Sequence, residues 1–266
     1  MVLRPLSLDE LKKIFDDTSL DVIRFFIQKS LFSQPERISG QGTLPIQVPK
    51  EHLEQWVVQA IGAKPVGAGS YGVDVVKEGE FGADVKMLSC KVDDKGNLKN
   101  ADSGETSLAQ NFKDTGTSLD QLFEKKEYTT IVEGWKSIIL NKLSQVVTDQ
   151  KVPKIYYIFI LRAGTSFKLC GMEVYLDKIN TIKAADKASD SSLFIDNFID
   201  SNYGNVKIYK AKKRIELRLR PKYWEDNNMT INFDLDFENK EVSIRDLFLN
   251  GKIESYKKEI CKNIFE

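Results

Sequence analysis

The sequence predicts an α/β protein: a central mixed β-sheet flanked by helices, with an antiparallel basic β-hairpin region toward the C-terminus. Three observations carry that prediction. A helical apolar pattern over residues 50–63 precedes two strand-like segments joined by a turn within residues 66–91. The run KIYYIFIL from Lys154 to Leu161 has the length and composition of a strand covered on both faces. From Lys210 to Lys222 charged residues fill alternate positions, as along one face of a strand.

In chain order, Ser7 is placed to cap a helix carrying Leu8, Leu11, Ile14 and Phe15, and Leu20, Ile23, Phe26, Ile27 and Leu31 continue the helical spacing. Pro35, Gly40, Gly42, Pro45 and Pro49 mark residues 33–49 as loop, whose small polar portion at 39–43 is a secondary candidate for a phosphate contact. Leu53, Trp56, Val57, Ala60 and Ile61 then form the apolar face of a helix that Gly62 ends. Residues 92–117 read as a long exposed excursion with a short helix near 108–112. Helices follow from Ser118 and over about 130–147, then the apolar strand and its neighbour at 167–176. Residues 179–202 are mixed, with 183–188 compatible with helix. Beyond the cationic strand, Met229 to Phe237 alternates as its partner strand, where Asp234 and Asp236 are placed to pair with the cations; residues 253–264 suggest a terminal helix.

Composition removes several classes of chemistry. The chain has 266 residues, 41% hydrophobic and 29% charged, the makeup of a globular protein able to bury a substantial core. A formal net charge of zero excludes a globally basic nucleic-acid binder and leaves room for a local patch. Three widely spaced cysteines without a CxxC pair argue for a reducing compartment and against a disulfide framework or zinc site. No signal-type or membrane-spanning apolar run occurs, so a soluble, cytoplasmic protein with no membrane partner is expected. The single histidine, His52, rules out multi-histidine metal sites and reads as an exposed helix residue.

The chemistry-bearing stretch is VGAGSYGVDVVKEGEFGADVKMLSCK, residues 66–91. Asp84 and Lys86 share one face of a strand. If the connection is the three residues Glu78-Gly79-Glu80, Asp74 lies opposite Asp84; a two-residue loop would put the aspartates on opposite faces. Two carboxylates on one face repel unless they share a cation, and hard oxygen ligands suit Mg²⁺. A lysine beside them can orient a water and stabilise a pentacovalent phosphate. A later lysine, Lys91, has the wrong parity relative to Asp84 to be preferred.

Asp74 followed by Asp84-Val85-Lys86, with Tyr71, Val73 and Val75 around the first acid and Met87-Leu88 after the lysine, resembles the PD-(D/E)xK nuclease superfamily, particularly type II restriction endonucleases. The order helix, acid-bearing strand, acid-x-lysine strand, helix, apolar strand extends the resemblance over residues 50–176. Gly72-Val73 stands where proline commonly precedes the first acid, and the second acid is aspartate. The resemblance implies that Asp74 and Asp84 ligate Mg²⁺, that Lys86 acts on the attacking water, and that Glu54 is the upstream helix carboxylate.

On that reading, residues 1–266 form one endonuclease-like domain. It comprises an N-terminal helical edge and loop (1–49), a catalytic core (50–176) and DNA-contacting strands with a terminal helix (177–266). Lys210, Lys212, Arg214, Arg218, Arg220 and Lys222, relieved only by Glu216, would hold phosphates of double-stranded DNA. Ser107, Gln110 and Asn111 would contact DNA from the excursion. A homodimer is expected because palindromic sites match two-fold symmetry. Competing readings are a repair or recombination nuclease with the same core, a non-catalytic nucleic-acid-binding protein, and a structural protein whose cations pair with Asp234 and Asp236.

Overall fold

Which residues of each strand are apolar on which side decides the architecture, and here one sheet is apolar on both. The computed structural model describes residues 1–42, 46–66, 72–112, 118–235, 237 and 240–265. Thr43, Tyr71 and Asp236, and residues 113–117 of the excursion, lie outside them. The chain begins with β1 (Leu3–Pro5), α1 (Leu8–Ile14), α2 (Asp17–Phe32) and α3 (Lys50–Ile61). Ser7 and Glu10 form a reciprocal capping box on α1, and Gly62 ends α3 in the left-handed region at φ 60°.

Then come β2 (Lys64–Pro65), β3 (Val75–Lys77), β4 (Phe81–Ser89), β5 (Thr106–Gln110), α4 (Leu119–Glu124), α5 (Tyr128–Gln150), β6 (Ile155–Ala163) and β7 (Ser166–Val174). A 3₁₀ turn at Leu176–Thr181 leads into β8 (Lys183–Ala188), β9 (Ser192–Asp196), β10 (Gly204–Tyr209) and β11 (Arg214–Leu219). The remainder is α6 (Pro221–Asp226), β12 (Ile231–Asp234), α7 (Ile244–Leu249) and α8 (Ile253–Phe265).

Among these elements the first sheet has seven strands in the order β1-β7-β6-β4-β3-β2, with β12 also on β7. It is mixed, because β4 and β6 run parallel while β3 with β4 and β6 with β7 are antiparallel. Ala83, Val85, Ile158, Ile160 and Leu169 pack under α1 to α3 against Leu11, Ile23 and Val57. On the other side Leu88, Tyr157, Phe159 and Met172 meet Trp135, Ile139 and Leu143 of α5 and the inner face of a second sheet. Each such large apolar side chain contributes about 1.5–3 kcal/mol on burial. Asp84 and Lys86 have the strand parity of Leu88, so they face the second layer.

The second sheet is antiparallel, ordered β5-β11-β10-β9-β8. It corrects four expectations. The short helix expected near 108–112 is absent: residues 108–110 belong to the strand β5, which pairs with β11, and Asn111 leaves it at φ 63°. Residues 183–188, rich in alanine, pair with β9 as β8 instead of coiling into a helix. The cationic run is not one continuous strand: β10 and β11 form a hairpin that turns at Lys210–Lys213, with Lys213 at φ 48°. Its end is α6, where Pro221 takes the first helical position and Arg220 the cap. Finally, β12 pairs with β7 of the first sheet, and Asp234 accepts from Ser166 at 2.6 Å, away from the cationic segment. Among the described residues no helix is long and apolar enough to cross a membrane.

Candidate active site

The connection between β3 and β4 is the three residues Glu78, Gly79 and Glu80, with Gly79 at φ 73°. Lys77 pairs with Phe81, Val76 with Gly82 and Val75 with Ala83, where the paired ladder ends, with Asp74 just before β3. The ladder shifts at that point: the Asp74 N–H donates to the Ala83 carbonyl at 2.9 Å, in the manner of a β-bulge that re-aims a side chain. The Asp74 carbonyl accepts from Val66 N–H at 2.9 Å, so both of its backbone groups are held.

The side chains meet accordingly. Lys86 Nζ donates to Asp74 Oδ2 at 3.2 Å and to Asp84 Oδ1, and lies 3.5 Å from the Val85 carbonyl oxygen. Asp74 Oδ2 also accepts from Val85 N–H at 2.8 Å. Three oxygens therefore converge on one ammonium in a largely enclosed position, with Asp84 only 7% exposed.

That enclosure divides the two acids. Burial pushes the Asp84 carboxyl up to about 7, with Lys86 opposing and the charge of Asp74 adding to the rise. Burial acts upward on Asp74 too, but the hydrogen bond shared with Asp84, the Lys86 charge and the Val85 N–H outweigh it and hold Asp74 below the usual carboxylate range. Lys86 loses solvation, yet the two acids outweigh that cost and raise its pKa. Enclosure thus favours the protonated form of Asp84 and the ionised form of Asp74.

The donor set fits a hard divalent cation: two carboxylates and a carbonyl already gather around one positive charge. Among the described residues no group of three or more acidic, histidine or cysteine side chains surrounds the position. An ion there would fill its shell with water and substrate oxygens, which is how Mg²⁺ is commonly held.

Asp74, Asp84 and Lys86 line a cavity of about 530 Å³ whose other wall is β5 with Arg214 of β11. Ser107, Gln110 and Arg214 therefore stand in the same cavity as the acids, as does Glu105. Lys142 of α5 also lines it; it donates to the Leu108 carbonyl at 3.2 Å, and its stem lies on Gly72, where an added Cβ would approach it to 3.0 Å. Nothing in the helical pattern of α5 singled Lys142 out. From α3 the cavity receives Leu53; Glu54 is half-buried on the same helix and is not among the lining residues. Asn111, at φ 63°, ends β5 and donates to the Lys213 carbonyl at 3.0 Å.

The remaining predicted cations sit among acids. Lys212 contacts Glu105 at 2.6 Å and Glu216 at 3.2 Å, and Arg218 also reaches Glu105. Lys210 reaches Glu124 at 3.4 Å, Arg220 reaches Asp102 at 3.5 Å, and Lys222 reaches Asp226 at 2.6 Å. Arg214 is exposed and has no ion pair among the described residues. Compared with known proteins, the chain matches no family model, no curated protein and no solved structure.

Proposed function

We propose that this protein is a Mg²⁺-dependent endodeoxyribonuclease that hydrolyses phosphodiester bonds in double-stranded DNA, of the type II restriction class and acting as a homodimer. The observation that carries the reading is the convergence of Asp74, Asp84 and the Val85 carbonyl on Lys86 within an open cavity. Asp74 and Asp84 would hold the ion, which supplies charge for the phosphate and acidity for a bound water. Lys86, tethered to both acids, would hold the attacking water and offset charge developing on the phosphoryl oxygens. Its own raised pKa keeps it cationic, so it serves as a donor rather than a base. On the opposite wall Ser107, Gln110 and Arg214 offer groups for sugar, phosphate and base edges.

The test is cleavage of plasmid and linear duplex DNA by the unaltered protein and by Lys86→Ala, each in Mg²⁺ and in EDTA. Discrete fragments formed in Mg²⁺ only, and lost in the variant, support the proposal. Unspecific degradation in Mg²⁺ would redirect it to a repair or recombination nuclease. Binding with no cleavage in either protein would leave a nucleic-acid-binding module.

A further inference from the structure

The outer face of the second sheet carries charge that the ion pairs around Glu105 do not neutralise. Residues directly opposite one another in adjacent antiparallel strands share a face. One row across this sheet is Gln110, Arg214, Tyr209 and Ser192, from β5 through β11 and β10 to β9. The next is Ser107, Glu216, Lys207 and Phe194, along the same direction. Lys207 Nζ lies 4.2 Å from the centre of the Phe194 ring, and Lys187 of β8 lies 4.9 Å from the same ring. Tyr209 likewise has Lys212 at 4.7 Å and Lys207 at 5.8 Å.

Ammonium groups and rings thus alternate from β8 to Arg214 and Gln110, which line the cavity. Four inter-strand gaps make this roughly 19 Å long. Most acids near it are engaged: Glu105 holds Tyr209, Lys212 and Arg218, Glu216 holds Lys212 and Asp102 pairs with Arg220, while Asp196 shares the strand face of Phe194 and is exposed. Lys187, Lys207 and Arg214 have no ion pair among the described residues. Two ammoniums gathered over one ring repel each other and favour an anion between or beside them.

We propose that this face, from Lys187 and Phe194 through Lys207 and Tyr209 to Arg214, is a track for a nucleic-acid strand that leads its phosphates into the cavity. The inference rests on reading the cavity as a phosphodiester site, which it extends by naming the path of the substrate. Lysines meet phosphates along the track, and the two rings offer flat apolar surface to sugar and base.

The experiment measures binding of a labelled 20-nucleotide single strand and of the matching duplex in EDTA, by fluorescence anisotropy over a range of salt. Lys187→Glu/Lys207→Glu should bind at least tenfold more weakly and show a salt slope reduced by about two. Lys12→Glu/Lys29→Glu, the same charge change on exposed residues of α1 and α2, should retain most of the affinity. Loss on both substrates marks backbone contacts, and loss confined to the single strand marks base contacts to the rings; either supports the track. Equal losses in the two double variants, or unchanged binding in Lys187→Glu/Lys207→Glu with an unchanged melting temperature, would overturn it. Hydrolysis of bis(p-nitrophenyl) phosphate by the unaltered protein, measured alongside, reports on the cavity alone, so failure there sinks the nuclease reading without touching the binding result.

Discussion

The two hairpins β3–β4 and β10–β11 carry opposite imbalances of charge. In the first, two carboxylates and a carbonyl oxygen surround the single ammonium of Lys86, in a position closed enough to raise the pKa of one acid. At the second, Lys212, Arg218 and the Tyr209 hydroxyl gather on Glu105, just before β5, and Lys212 also reaches Glu216 of β11. A surplus of anion in an enclosed place calls for a compact cation; a surplus of cation on an open face suits an extended anion. Desolvation outweighs the ion pair at Asp84 and raises its pKa, whereas at Glu105 the hydrogen bonds from its partners outweigh desolvation and hold its carboxyl well below the usual carboxylate range.

The largest expected effect comes from breaking the first hairpin's imbalance. Lys86→Ala and Asp84→Asn should each lower cleavage about 10²–10⁴-fold, measured as initial rate at saturating Mg²⁺. Deleting Gly79 should act comparably on metal binding, because a two-residue connection shifts the register and turns Asp74 to the other face.

A second effect is on stability against pH. Asp84 has a folded pKa raised above its unfolded value of 3.8 to about 7, so in the metal-free protein its charge destabilises the fold progressively as pH rises between those values. Asp74, lowered, works the other way: its contribution is present above its unfolded pKa and is lost as pH falls. Added Mg²⁺ should therefore raise the melting temperature more at pH 8 than at pH 5.5, and metal-free Asp84→Asn should melt higher than the unaltered protein at pH 8.

Glu105→Gln sharpens the second hairpin. Releasing Lys212 and Arg218 should tighten nucleic-acid binding several-fold and steepen its salt dependence by about one unit. The smallest effect belongs to Gly79→Ala: the left-handed turn costs an alanine about 1 kcal/mol, read as a fall in melting temperature of about 2 °C with the metal site intact.

How much of this the sequence disclosed follows the same division. The β3–β4 hairpin was legible because its signals are local: a glycine at the turn, alternation on both sides, and acids at positions whose parity can be counted. The α1 and α3 boundaries were legible through Ser7 and Gly62 for the same reason. The second sheet was not. Its tight turn at residues 210–213 uses Lys213 in a left-handed conformation where a glycine or asparagine would have announced it, so the run passed for one long strand. Leu108 and Phe112, four apart, imitated a helix until pairing with β11 decided otherwise, and alanines at 184, 185 and 188 did the same in β8. Glu105 acquires its partners only when β5 docks on β11, and Lys142 is one of several polar residues on a long helix. Neither leaves a mark in the one-dimensional pattern.

The most direct measurement is Mg²⁺ binding by calorimetry at pH 7.5 to the unaltered protein, Asp74→Asn/Asp84→Asn and Lys86→Met. Ion binding is expected in the unaltered protein and in Lys86→Met, and is lost in the double aspartate variant. Equal Mg²⁺ affinity in the unaltered protein and Asp74→Asn/Asp84→Asn would contradict this.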